Sequence, residues 1–406
     1  MILHQDRDWL AVDKPCGLAT HAGKPGELGA VEWLALHRGL TTHVVSRLDR
    51  GTSGVLLLAR QPAAAARAEA IHEAGQAVKI YEFFSAASSP RDSWQRDDRL
   101  DDKPARTRFT RLGGTPQGDL TRYRAEIARG RRHQIRQHAA ASGIPVLGDD
   151  AYGGAAFPRL MLHCIEVRWP EIEAPLNAPL PPSFAALDSG KDPGLAVALD
   201  RRGRWPLMVS DSYRVVHRDE IPGGPAAVDV YGEWFNAIWF DETSSPEKLV
   251  GLLRPVLDQV MATFGLKGGV IRTHRHNPHQ RGLVTETEII SEPPPDFFTV
   301  REHDLDYEIS LTRTQHPGLF LDQRDTRRRV ALVAAGRRMA NLFAYTCSFS
   351  VAAVAAGAEV ACWVGPARAG VSGGGSACGR SARAGAGGGG GGRGGARGWV
   401  GRPGRR

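Results

Sequence analysis

Six prolines between Pro170 and Pro193, joined by Gly190 and Gly194, interrupt the chain near its middle. Proline fixes its own φ and donates no amide hydrogen bond, so regular elements are poorly served by such a stretch. The chain reads as two bodies with an irregular connector between them, and 406 residues suit two or three cores rather than one. A sharper break follows Cys362. Beyond it lie 18 of the 48 glycines, including Gly387 to Gly392, without apolar periodicity. A segment of that composition cannot offset its chain entropy by burial and is expected to be disordered. Eight of the 52 Lys and Arg residues lie beyond residue 360 and none of the 44 acidic ones do, so the net charge of +8 belongs to this tail. Nucleic-acid binding must therefore be argued from local patches.

The longest apolar runs, such as Val55 to Ala59, fall far short of the ~20 residues a membrane helix needs. Met1 to Leu10 carries Asp6, Arg7 and Asp8 and lacks the basic-then-apolar pattern of a signal peptide. Five scattered cysteines with no CxxC pair indicate neither a disulfide framework nor a cysteine zinc site. The expectation is a cytoplasmic protein with no membrane association.

Pro62 to Gly75, opened by proline, rich in alanine and closed by glycine, predicts a helix. Val78 to Ala86 and Leu120 to Ala128 carry strand-forming residues, and His133 to Ser142 reads as a helix stopped by Gly143 and Pro145. In the second body Val228 to Phe240 is strand-like, Pro246 to Phe264 is an amphipathic helix and Gly268 to Thr273 returns to strand. From Arg327 an arginine-rich helix, then Asn341 to Tyr345 and Ser350 to Ala356, suggest the opening of a Rossmann-like unit.

Two constellations carry chemistry. In Ser46-Arg47-Leu48-Asp49-Arg50-Gly51-Thr52-Ser53-Gly54 a carboxylate sits on a glycine-bounded loop just before the apolar strand Val55 to Ala59. A group so placed is held rigidly yet faces solvent, as a nucleophile or general base requires. In Gly130-Arg131-Arg132-His133-Gln134-Ile135-Arg136, Arg132 and Arg136 are expected one helical turn apart near a helix N-terminus, an arrangement suited to anions.

These segments, in this order, resemble the RluA-type pseudouridine synthases over about residues 1 to 170. Lys14-Pro15-Cys16-Gly17 is similar to that family's KPxG segment, Arg47-Leu48-Asp49 with Thr52-Ser53-Gly54 to its RLDxxTSG motif, Lys79-Ile80-Tyr81 to KxY, and Gly130-Arg131 with His133 to Arg136 to GRxHQIR. Ser46 stands where histidine is frequent, and Arg132 where a small hydroxyl residue is usual. The resemblance implies Asp49 as catalytic aspartate, Tyr81 as active-site tyrosine and Arg136 as the basic partner of Asp49. Arg47, Arg131, Arg132, His133, Gln134 and Leu162 become expected substrate contacts. It also implies isomerisation of uridine in RNA without a cofactor, after base flipping, by attack at either the ribose or the uracil ring. RNA is the expected partner, ribosomal RNA ahead of transfer RNA, with no obligate protein partner.

The second body is different. Asp229-Val230-Tyr231-Gly232-Glu233-Trp234, Gly318 to Arg324 and Asn341-Leu342-Phe343-Ala344-Tyr345-Thr346 resemble the RlmI-like class I RNA methyltransferases. That resemblance implies S-adenosylmethionine contacts at Asn341, Phe343, Tyr345 and Thr346. Cys347 and Ser348 stand where glycines are usual, however, and no acidic residue follows Glu359. The site is expected to be vestigial, with the cofactor bound only if this module were complete, and its apolar edge and helix faces are expected to be uncovered. The tail is read as a non-native continuation in preference to an RGG-like RNA-binding arm. The histidines His274, His276 and His279 are expected to contact RNA rather than a metal.

The expected fold class is α+β: a pseudouridine synthase domain with a mixed β-sheet over 1–188 and a connector over 189–204. An α/β accessory module follows over 205–312, then an incomplete Rossmann-like start over 313–362 and a disordered tail over 363–406. The expected function is RNA pseudouridine synthase. A bifunctional synthase and methyltransferase, or a non-catalytic RNA-binding protein, are the alternatives.

Overall fold

The computed structural model describes residues 1–25, 27–202, 205–220, 226–240, 246–276, 283–314, 316–342, 345–365 and 377–379. The chain is α+β and divides into two compact units between Trp205 and Pro206.

The first unit comprises β1 (Ile2–Gln5), β2 (Trp9–Lys14), α1 (Ala30–Arg38), β3 (His43–Val44), β4 (Ser53–Ala59), α2 (Pro62–Ala74), β5 (Val78–Ser85), β6 (Ser93–Leu100), β7 (Lys103–Gly114), β8 (Thr121–Ile127), α3 (Gln134–Ala141), β9 (Leu162–Arg168), β10 (Leu176–Asn177), α4 (Pro182–Asp188) and α5 (Gly194–Arg202). Ten strands form one mixed sheet in the order β1-β2-β4-β9-β5-β8-β7-β6, with β3 added to β4 and β10 to β9. β4 is buried from end to end, as its apolar run requires of a central strand. It pairs parallel with β9, Ser53 opposite His163, while β5 runs antiparallel on the other side of β9 with Tyr81 opposite Cys164. The loop that precedes β4, the first residue of β9 and the middle of β5 are thereby brought together.

Two features depart from expectation. β6 and β7 form a long hairpin that the sequence does not signal, turned by Asp101 and Asp102 at φ 50° and 58°. Positive φ at both positions is what a two-residue turn matching the strand twist demands, and Asp tolerates it better than most residues. The proline-rich stretch contains α4, and the connector expected over 189–204 contains α5. Pro182 opens α4, a position where the missing amide costs nothing.

The second unit comprises β11 (Ser212–Val216), β12 (Ala226–Tyr231), β13 (Trp234–Trp239), α6 (Pro246–Phe264), β14 (Gly268–His276), β15 (Leu283–Ser291), β16 (Phe298–Glu302), β17 (Leu305–Ile309), α7 (Arg324–Ala334), β18 (Arg338–Leu342), α8 (Ser348–Ala355), β19 (Val360–Gly365) and β20 (Ala377–Gly379). Strands β11 to β15 form a five-stranded sheet in chain order, in which α6 links the parallel pair β13 and β14. The expected single strand over Val228 to Phe240 is a hairpin, because Gly232 takes a positive φ of 59° between its two arms.

The expected Rossmann-like opening is present as β18, α8 and β19, with β18 and β19 parallel. Its packing is uneven: Ala334, Ala353 and Ala358 share a small core, whereas Leu332, Val333 and Leu342 are exposed. Apart from 363–365 in β19 and 377–379 in β20, the expected tail lies outside the described residues. Among the described residues no helix is long and apolar enough to cross a membrane.

Candidate active site

Asp49 lies on the loop between β3 and β4, with its side chain 32% exposed. Its neighbours are tied down on both sides. The Thr20 hydroxyl donates to the Leu48 carbonyl (2.9 Å) and accepts from the Leu48 amide (3.1 Å), while the Gly17 amide donates to the Arg50 carbonyl (2.7 Å). The Thr52 amide closes the turn onto the Asp49 carbonyl at 3.0 Å. Leu48 is buried and anchors the loop. A carboxylate is thus presented to solvent from a backbone with little freedom.

Arg136, in the first turn of α3, reaches Asp49 with one arm: Nη1 donates to Oδ2 at 3.2 Å. Its other two donors grip Asp149 as a fork, Nε to Oδ2 and Nη2 to Oδ1, both at 2.7 Å. The Asp149 side chain is fully buried and that of Arg136 is 12% exposed. Arg136 thus gives its two-pronged contact to Asp149 and one hydrogen bond to Asp49. The Asp149 bonds, ahead of those to Asp49, hold the Arg136 guanidinium above its ordinary pKa. The Tyr152 ring lies 5.1 Å beneath the guanidinium, and the Tyr152 hydroxyl is 3.0 Å from His133 Nδ1. His133 turns its Nε2 to Asp49 Oδ1 at 3.7 Å.

His133 is at φ 51° and caps α3, so the helix starts at Gln134 and Arg132 precedes it. The expected pair of arginines on one helical face is therefore not formed. Gly148 at φ 77° supports Asp149 from behind, and a Cβ there would lie 2.0 Å from the Arg159 carbonyl oxygen.

Tyr81 is buried on β5, and burial first, then Cys164 and Asp49, raise its pKa well above the ordinary value. The phenol stays protonated and can donate. Beneath it Cys164 is pushed up to about 12 by burial, and burial lowers the Lys79 amine. Gly54 is obligatory where β4 meets β9, since a Cβ would fall 2.1 Å from the Cys164 carbonyl oxygen. Lys14, wholly buried at the end of β2, donates to the Pro15 (2.8 Å) and Leu18 (2.6 Å) carbonyls and so shapes the segment that braces the Asp49 loop. Burial pushes its pKa down to about 7.

Asp49, Tyr81 and Arg136 all line one open cleft of about 1410 Å³, together with Arg47, Arg131, Arg132, His133 and Leu162. Arg47 and Arg132 are exposed at its rim, Arg131 is half-buried, and Leu162 forms part of the floor at the start of β9. Gln134 also borders the cleft, but its amide is committed elsewhere. Nε2 donates to the Arg106 carbonyl (2.8 Å) and Thr107 Oγ1 (3.1 Å), and Oε1 accepts from the Arg131 amide (2.9 Å). It fastens α3 to β7 rather than facing a substrate. Asp149 and Tyr152 are functional residues that the sequence reading missed; the local signal is only the glycine-bracketed turn around them.

In the second unit the expected cofactor residues are largely spent on internal bonds. Asn341 Nδ2 donates to Ser350 Oγ at 3.0 Å, the Tyr345 hydroxyl donates to the His316 carbonyl at 3.3 Å, and Thr346 donates to the Gly318 carbonyl. Phe343 lies outside the described residues. Cys347 is held at φ 62°, a conformation that favours glycine. The His274, His276 and His279 cluster lies outside the residues whose side chains are described, and among the described residues no group of His, Cys, Asp and Glu is arranged to hold a metal.

The family model for RNA pseudouridylate synthase matches residues 8–141. An uncharacterized RNA pseudouridine synthase of Zymomonas mobilis subsp. mobilis is 33% identical over 214 residues, which cover 46% of this chain and 96% of that protein. The chain belongs to the RNA pseudouridine synthase family. Ribosomal large subunit pseudouridine synthase C of Vibrio vulnificus is 30% identical over 213 residues, 44% of this chain and 65% of that relative.

The family model for S-adenosylmethionine-dependent methyltransferase matches residues 230–382. There, ribosomal RNA large subunit methyltransferase K of Neisseria meningitidis serogroup B is 35% identical over 150 residues, 36% of this chain and 41% of that protein. The chain thus spans less than two thirds of either of these last two relatives. A pseudouridine synthase unit is followed by methyltransferase-like sequence, as both resemblances implied.

Proposed function

We propose that this chain isomerises uridine to pseudouridine in RNA, with Asp49 as the nucleophile. The observation that carries this reading is the pairing of a partly exposed Asp49 carboxylate with Arg136 in a cleft whose floor includes Tyr81. Asp49 bonds to the ribose anomeric carbon or to the uracil ring, the bond between ribose and uracil nitrogen breaks, and the base turns over and rejoins through carbon; the bond to Asp49 breaks, that carbon loses its proton and the freed nitrogen gains one. Arg136 orients Asp49 through its hydrogen bond. Tyr81, protonated at neutral pH, packs against the turned base and passes a proton through its hydroxyl. Exposed Arg47 and Arg132, with Arg131 and His133, take the phosphates around a flipped nucleotide. Ribosomal RNA is the preferred substrate class, because the Vibrio relative is named for the large ribosomal subunit.

The test compares the parent and Asp49→Asn on ribosomal RNA, mapping pseudouridine at single-nucleotide resolution. Loss of activity on the order of a thousandfold or more, with RNA affinity kept, is expected. Residual activity within tenfold of the parent would remove Asp49 from the role.

A second activity, methyl transfer, is favoured by the family match over residues 230–382. The side chains that would receive S-adenosylmethionine fit it poorly: Asn341, Tyr345 and Thr346 are bonded within the unit, and Cys347 carries a side chain where close backbone approach needs none. No methyl-transfer step is assigned to them.

A further inference from the structure

The loop that carries Asp49 is braced at its start by Thr20 and at its end by Ser53, the first residue of β4. Ser53 is not held by its own strand alone. Its Oγ accepts from Arg159 Nη2 at 2.8 Å and lies 2.9 Å from His163 Nδ1. Arg159 is buried, and its Nη1 donates at 2.7 Å to Asp200 Oδ2 on α5. Both members of this ion pair are at most 2% exposed. Asp200 Oδ2 also accepts from the Ser183 amide in the first turn of α4 (3.3 Å), so one carboxylate ties α5 and α4 to the arginine.

The same helix is fastened once more, and the chain beyond it is fastened as well. Arg201 donates to the Pro158 carbonyl, and the Trp205 indole donates to the Asp13 carbonyl at 2.6 Å, next to Lys14. Asp200 Oδ1 has no hydrogen-bond partner among the described residues. A buried ion pair with an unsatisfied oxygen is a poor source of stability, but it fixes one arrangement of the groups it joins.

We propose that Asp200 is a positioning residue for Asp49: it holds Arg159 against Ser53, so that α5 sets the end of the Asp49 loop and the catalytic unit extends through Trp205. The inference rests on the proposed isomerase activity. It places the functional boundary beyond residue 188, within and past the segment 189–204 expected to be a connector.

The experiment uses the full chain and three variants: Asp200→Asn, Ser53→Ala, and the pair Asp200→Leu with Arg159→Met, which replaces both charges by apolar groups of similar size. Melting temperature, single-turnover isomerisation, RNA affinity and hydrogen exchange at the Leu48 and Thr52 amides are measured on each. Asp200→Asn and Ser53→Ala are expected to slow the chemical step by about tenfold or more, with RNA affinity within about threefold, and to speed exchange in the loop. The apolar pair is expected to recover the melting temperature lost in Asp200→Asn but not the rate, because no guanidinium then holds Ser53.

Recovery of both rate and melting temperature in the apolar pair would reduce Asp200 to a stabilising role and overturn the proposal. Unchanged loop exchange in Asp200→Asn and Ser53→Ala would overturn it as well. If the parent itself isomerised no RNA, the isomerase reading would fall, and the exchange rates would still decide whether Asp200 positions the loop.

Discussion

Arg136 and Arg327 use the same grip in different units. Arg327 takes Glu302 with Nε and Nη2, both at 2.8 Å, as Arg136 takes Asp149. Both carboxylates are buried, and both arginines keep Nη1 free of the fork. What differs is where that last donor goes. In Arg327 it ends on the Phe320 carbonyl at 2.8 Å, and a second arginine, Arg324, adds its Nε to Glu302 at 3.0 Å, so the cluster is closed. In Arg136 it ends on a carboxylate open to the cleft. A buried fork fixes a guanidinium; only an outward third donor makes the fixed group available to chemistry.

The largest way to break this comparison is to replace both forks by point charges. Arg136→Lys is expected to cut isomerisation by about a hundredfold, because an ammonium cannot hold Asp149 and aim at Asp49 together. Arg327→Lys is expected to leave isomerisation unchanged while lowering the melting temperature of the second unit, followed by tryptophan fluorescence and calorimetry. Truncation to Arg327→Ala would leave Glu302 with Arg324 alone and is expected to lower that melting temperature further. Full activity in Arg136→Lys would show that charge alone suffices at the site.

A smaller test concerns whether the closed unit has any outward chemistry. Titration calorimetry of the full chain with S-adenosylmethionine is expected to give no heat of binding at micromolar concentrations, since the Asn341 and Thr346 side chains already have partners. Micromolar binding would show that those bonds give way to the cofactor and would restore the bifunctional reading.

The smallest effect sharpens the contrast with a third buried cation. Lys14 is paired with carbonyls, its nearest hydrogen-bond partners, and burial holds its pKa to about 7 against 10.5. Between those values the unfolded chain binds a proton that the folded chain does not. Lys14 therefore makes stability rise with pH from 7 toward 10.5, by at most about 1.4 kcal/mol per pH unit. Lys14→Met should remove that rise, as read by urea unfolding at pH 7, 8 and 9. An unchanged pH slope would mean that Lys14 keeps its proton in the folded state.

How far the sequence carried the reading depended on the range of the interaction. Asp49 before β4, Tyr81 on β5, the glycine-closed helix α2 and the long helix α6 were legible because each is signalled within one element. The β6–β7 hairpin was not. Arg96, Asp97, Asp98 and Arg99 put charge on both faces of β6, which hides the alternation that marks a strand. The partners of Arg136 and Arg159 were also illegible. Asp149 and Asp200 become binding groups only when the fold buries them against arginines 13 and 41 positions away. Nor could the start of α3 be read locally, since it turns on the left-handed backbone of His133.

Gly148 joins the two supports of the reactive loop. It precedes Asp149, which fixes Arg136, and its α-carbon faces the carbonyl of Arg159, which fixes Ser53. A methyl group at this position would press Asp149 and Arg159 apart, and both supports of Asp49 would shift in one event. The site therefore has a common mode of failure at a residue with no side chain. Its tolerance to change is set there by clearance between two backbones, before any question of acid, base or charge arises.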